Sequence, residues 1–138
     1  VIDYLINSNI KVVVRGGRPL SGNHQYGSTN ARLENPTGKP GGWRVKGNTI
    51  NIDLDFDKID CDGLDLREAL AHELQRTFET IATPSLTAKF ARYDASHPAP
   101  ERRKLSELGA YRMSDSVKSW VELQRLDALI RARRPISP

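Results

Sequence analysis

The 138-residue chain of 15.5 kDa is 38% apolar and 28% charged, which fits one folded domain and excludes a disordered tail. No run of 18 apolar residues exists to cross a membrane, and the single Cys61 rules out an internal disulfide. The formal charge of +4 divides into +5 over residues 1–50, −6 over 51–85 and +5 over 86–138, with nine aromatic residues in all. That is not the single basic face with interleaved aromatics of a dedicated nucleic-acid binder.

The chain opens on Val1 without a charged-then-apolar leader, and it reads as a piece of a longer polypeptide. Ile10–Arg15 is a short β-branched run closed by Gly16 and Gly17, the pattern of a buried strand. Residues 16–42, with seven glycines and three prolines, read as one long loop. Trp43–Lys46, a Gly47–Asn48 turn and Thr49–Asp55 predict a hairpin. In its second arm Ile50, Ile52, Leu54 and Phe56 alternate with Asn51, Asp53, Asp55 and Asp57, so one face should meet a core and the other water.

Asp65 is placed to cap a helix reaching about Ile81, with Leu66, Leu70, Leu74 and Phe78 as its packing stripe and Pro84 as its stop. A break falls at Ser96–Pro100. Glu101–Tyr111 predicts a second, shorter helix, and Ser114 is placed to cap a last one to about Arg131, with Val117, Trp120, Val121, Leu126, Leu129 and Ile130 as its apolar stripe. Strands followed by helices, without internal repeats, predict an α+β domain spanning residues 1–138. Its small twisted sheet and hairpin should pack on the 65–81 helix, with the C-terminal helices closing the fold.

Two motifs carry chemistry. The run Asp53, Asp55, Asp57, Asp60, Asp62, Asp65 suggests a calcium loop. Counted from Asp53, however, position 6 is Lys58 rather than glycine and position 12 is Leu64 rather than glutamate, so it reads as a solvated strand face. The other is Ala69-Leu70-Ala71-His72-Glu73-Leu74-Gln75-Arg76. Residues four apart share a helix face, and H-E-x-x-H uses that spacing to hold zinc on two imidazoles beside a general-base glutamate. Here Arg76 stands in the second ligand position, so the motif is H-E-x-x-R. Read alone, His72–Glu73 is also compatible with an ordinary helical pair.

An alternating strand, a short acidic connection and this helix together resemble the core of the zincin metallopeptidases. Glu107-Leu108-Gly109-Ala110-Tyr111-Arg112 looks like the later helix that supplies a glutamate ligand in the gluzincin branch. The resemblance covers residues 43–112 and is greatest to the toxin and effector domains of bacterial secreted proteins. It implies His72 and Glu107 as zinc ligands, Glu73 as general base and Tyr111 as a donor to the developing oxyanion. It also implies that the strand before the helix borders the cleft and pairs with extended substrate. Glu107 is equally readable as a surface carboxylate, and Tyr111 as a packing residue. His97, in the break between Ser96 and Pro98, reads as an exposed residue; it, or His24 in the glycine-rich loop, replaces the missing imidazole only if its loop folds back.

Arginine has no lone pair for a metal. At ~4 Å and an effective dielectric near 20, its charge opposes a dication by roughly 8 kcal/mol. The guanidinium is therefore expected to fill the metal's place and pair with Glu73 or Glu107. The implied function is a zinc peptidase effector or toxin domain, delivered into a target cell, impaired by Arg76, acting on a protein target and restrained by a cognate immunity protein. Zinc belongs to the active form. The alternatives are a non-catalytic protein-interaction module and a toxin directed at nucleic acid, with His24 or His97 as acid or base.

Overall fold

Ile50, Ile52 and Leu54 sit at the centre of the computed structural model, which describes residues 1–22 and 25–133, and none is more than 2% exposed. They belong to β5 (Thr49–Leu54), the middle strand of a mixed sheet. On one side lies β1 (Lys11–Gly16), parallel, with Val12 opposite Ile50 and Val14 opposite Ile52. On the other lies β2 (Gly27–Asn30), antiparallel, with Gly27 opposite Leu54 and Thr29 opposite Ile52. A separate two-stranded ribbon pairs β3 (Leu33–Glu34) with β4 (Arg44–Val45).

The helices are α1 (Ile2–Asn7), α2 (Phe56–Cys61), α3 (Leu66–Ala82), α4 (Pro84–Ser96) and α5 (Leu108–Arg133), with two 3-10 turns, Glu101–Arg103 and Leu105–Glu107, before the last. The fold is α+β. Ile52, Leu54, Ile59 and Ala69 form the core, and Val12, Tyr26, Leu64, Leu70 and Leu74 pack around it. No helix among the described residues is long and apolar enough to cross a membrane.

The expected hairpin over residues 43–55 does not form. β4 turns instead to β3, where Leu33 faces Val45 and the Arg44 guanidinium meets Glu34 at 2.9 Å. β5 is buried on both edges and takes β1 and β2 as partners, which a two-stranded hairpin could not supply. β2 and β3 come from the stretch expected to be loop. β1 is an edge strand with Val14 48% exposed, not a buried one.

The polar face of β5 is also drier than its alternation predicts. Asp53 and Asp55 are 9% and 7% exposed. Arg15 reaches Asp53 through Nε at 2.7 Å and Nη2 at 3.0 Å, and the Asn30 amide joins at 2.9 Å, so both neighbouring strands satisfy this carboxylate. Asp55 accepts the N–H groups of Leu20 (3.0 Å) and Lys58 (3.1 Å) and so caps α2. These bonds hold its carboxyl below the usual range.

α3 begins where expected, with Asp65 accepting the N–H of Arg67. Its most buried line is Ala69, Glu73, Thr77 and Thr80 rather than the leucine stripe, and Leu66 is exposed. The reason is a second neighbour: α3 lies between the sheet and α5. Small and polar side chains allow that approach. Leu70 and Leu74 still reach the core, and Phe78 meets Tyr4 of α1 edge to face at 5.0 Å.

Pro84 ends α3 and also starts α4, using its fixed φ at a first helical position. The break after Ser96 is present. Beyond it the separate helix over 101–111 is replaced by the two 3-10 turns and the unbroken α5, so Ser114 is buried inside a helix and caps nothing. Of the stripe predicted for this helix only Val121 is buried. Trp120, Leu126, Leu129 and Ile130 are about half exposed, with the Arg67 guanidinium lying over the Trp120 ring.

Candidate functional site

His72, Glu73 and Arg76 lie on the side of α3 that faces β2 and the start of α5, and they line a cavity of about 670 Å3. His72 and Arg76, four residues apart, share the face toward Glu107, and Glu73 turns toward Thr29 of β2. The opposite wall is set by Asp94 of α4. Its carboxylate accepts the N–H groups of Leu105 and Ser106, each at 3.0 Å, and fixes the 3-10 turn that presents Glu107. Helix α5 then brings Tyr111 in one turn later.

Glu107 is 6% exposed and joins its 3-10 turn to α3. Its Oε2 lies 2.8 Å from His72 Nε2 and its Oε1 2.7 Å from Arg76 Nη1. An ionised carboxylate only accepts, so His72 carries its proton on Nε2 in this pair. The guanidinium thus pairs with Glu107, as expected, and not with Glu73. Tyr111 packs edge-on against the His72 ring with centroids 4.6 Å apart, and Arg102 covers its other side at 4.6 Å while pairing with Asp115.

Glu73 is 3% exposed. Its Oε2 accepts the Thr29 hydroxyl of β2 at 3.2 Å, and the same hydroxyl lies 3.2 Å from the Glu73 carbonyl. Burial raises the Glu73 carboxyl, and the neighbouring His72 and Arg76 pull it partly back. Burial also pushes the Tyr111 phenol up to about 12, with Glu101 and Glu107 adding to it. Tyr111 is therefore a hydrogen-bond donor at neutral pH, and burial raises two carboxyls that line the cleft, Glu73 and Glu68.

Zinc requires three protein donors in a hydrolytic site. His72 and Glu107 are spent on each other, Arg76 occupies the side where a third donor belongs, and Glu73 is turned to Thr29. No group of three or more His, Cys, Asp or Glu among the described residues is arranged to hold a metal ion. The residues present do not fit zinc. His97 does not help: it is exposed at the end of α4, stacked on Tyr93 at 4.0 Å with its Nδ1 3.0 Å from the Tyr93 carbonyl, and it does not line the cavity. His24 lies outside the described residues.

The strand at the rim is also reassigned. β5 has both edges occupied, so it is β2 that borders the cavity, through Gly27 and Ser28. Gly27 is required there: a Cβ on it would stand 2.7 Å from Glu73 Cγ. Thr29, Gly27, Asp94 and Arg102 all serve the site without having been expected to. The one signal in sequence was the β-branched Thr29 between polar residues just after a glycine, too short a pattern to mark a strand. Comparison with family models, curated proteins and solved structures gives no match for this chain.

Proposed function

We propose that the chain is a zincin-type effector domain of a secreted bacterial protein, built for peptide-bond hydrolysis in a target protein and disabled in this form by Arg76. Glu107 carries this proposal by pairing with both His72 and Arg76. The helix bearing His72–Glu73 and the later glutamate meet as the peptidase resemblance implies, and a guanidinium neutralises the carboxylate where a metal would. A cognate immunity protein is the expected partner of the active form, and delivery into a target cell its expected route.

Replacing Arg76 with histidine tests this. Arg76→His is expected to take up one equivalent of zinc by calorimetry and to cleave unstructured protein, while the parent does neither. A folded Arg76→His variant that binds no zinc overturns the assignment. The 670 Å3 cavity then favours the second reading, a non-catalytic module that binds a protein segment along the β2 rim.

A further inference from the structure

A second cavity, of about 510 Å3, lies between the β3–β4 loop and one face of α4. Ser85, Lys89 and Arg92 fall four and three residues apart and so share that face. Lys39 approaches from the loop. The loop is tied internally before any ligand arrives: the Asn35 amide donates to the Lys39 carbonyl at 2.8 Å, and the Thr37 hydroxyl receives the Lys39 N–H at 3.2 Å. The Trp43 N–H donates to Ser85 Oγ at 3.4 Å and joins the two walls.

Three cations line this cavity and no carboxylate does. None of Lys39, Lys89 and Arg92 forms an ion pair among the described residues. Arg92 instead lies over the Trp43 ring, 5.3 Å from its centroid. The Trp43 indole N–H is buried with no hydrogen-bond partner, one of two such side-chain atoms among the described residues. Folded proteins rarely leave a buried donor unsatisfied, and such an atom commonly marks a missing water or ligand.

We propose that this cavity binds a small phosphate-bearing molecule. A phosphate monoester carries close to two negative charges at neutral pH, which three unpaired cations match. The Ser85 hydroxyl is free to donate to its oxygens, because Ser85 Oγ is used only as an acceptor by Trp43. Trp43 and the half-exposed Leu86 offer apolar surface to its carbon body. The volume suits a compact organic ligand and is too small for a folded partner. The site shares no residue with the His72 cleft, so its outcome is independent of zinc uptake by Arg76→His.

The probe is inorganic pyrophosphate, titrated at low salt into the full chain carrying Trp120→Phe, which leaves Trp43 as the sole tryptophan. A saturable change in its emission is expected. Lys89→Gln and Arg92→Gln should each weaken binding about tenfold, the loss of one charge-assisted contact, with unchanged circular dichroism. Lys39→Gln, on the opposite wall, supplies a third variant should Arg92→Gln disturb the Trp43 packing. No saturable change up to about 10 mM pyrophosphate, or equal affinity in the charge variants, overturns the proposal. So does a single-stranded RNA that binds this face with a steep salt dependence while pyrophosphate does not bind, which would make the patch a nucleic-acid surface.

Discussion

Glu107→Gln is the sharpest perturbation of the cleft, because it keeps the side chain's shape and removes only the charge that ties the 3-10 turn before α5 to α3. The carboxylate is 6% exposed and holds His72 at 2.8 Å and Arg76 at 2.7 Å. A hydrogen bond to a charged group contributes ~1.5–3 kcal/mol, and breaking a buried ion pair from one side costs ~3–5 kcal/mol. Two effects reduce that figure here. The Arg76 side chain is 31% exposed, so its head can reach water, and an amide oxygen still accepts from one of the two donors. The expected loss is about 2–3 kcal/mol, or a fall in melting temperature of roughly 6–12 °C for a domain of this size.

Urea denaturation followed by circular dichroism measures it, with the slope unchanged so that the midpoint reports stability. Arg76→Met and the double variant complete a cycle, and a coupling of about 1–2 kcal/mol is expected between the two positions. If Glu107→Gln unfolds within about 0.5 kcal/mol of the parent, the scatter of an ordinary surface change, then Glu107 does not clamp α3 to the turn before α5. The ionic account of the cleft then fails with it.

Two further outcomes follow from the same wall of the cleft. Burial raises the Glu73 carboxyl above its ordinary 4.5, so the folded chain holds that proton more tightly than the unfolded chain does. The residue is therefore no burden below pH 4.5 and becomes one as pH rises through the elevated folded value. Glu73→Gln should stabilise the protein relative to the parent at pH 7 but not at pH 3.5; urea melts showing an equal difference at both pH values would contradict the buried-carboxyl assignment. Gly27→Ala places a Cβ 2.7 Å from Glu73 Cγ and 3.2 Å from Leu54 Cδ2, and should cost about 1–3 kcal/mol as β2 is pushed from α3. A neutral melt for that variant would mean β2 is not held against the helix.

Local signals carried the elements whose stability is local. Asp65 and the apolar spacing after it place α3 to within a residue, and the alternation of Ile50, Ile52 and Leu54 marks the core strand. What pairs with that strand was not legible. Its partners lie 38 positions before it in β1 and on the far side of a glycine-rich stretch in β2, and no period within Thr49–Leu54 distinguishes those neighbours from a hairpin arm. The same limit explains the Asp residues: alternation predicts a wet face, while Arg15 and Asn30, which dry it, are distant in sequence. Trp120, Leu126, Leu129 and Ile130 erred in the other direction. An amphipathic stripe states that a face is suited to burial, and burial also needs an opposing surface; these four side chains stay about half exposed. In the cleft, the i, i+4 rule put His72 and Arg76 side by side, and the charge of arginine required an anion. That this anion is Glu107 and not the adjacent Glu73 depends on the Asp94-held turn and on Thr29, both set by tertiary structure.

That division between the two glutamates has a physical basis. Glu73 and Glu107 are both more than nine-tenths buried, and two anions in one low-dielectric cleft repel strongly. One must be neutralised by a fixed cation or hold its proton. Glu107 has the partners: Arg76 lies at 2.7 Å and His72 at 2.8 Å. Glu73 has one direct partner named here, the Thr29 hydroxyl, and burial raises its carboxyl against the partial pull of His72 and Arg76. Arg76 thereby ties α3 to the turn before α5, a cross-link otherwise supplied by a metal ion in small domains.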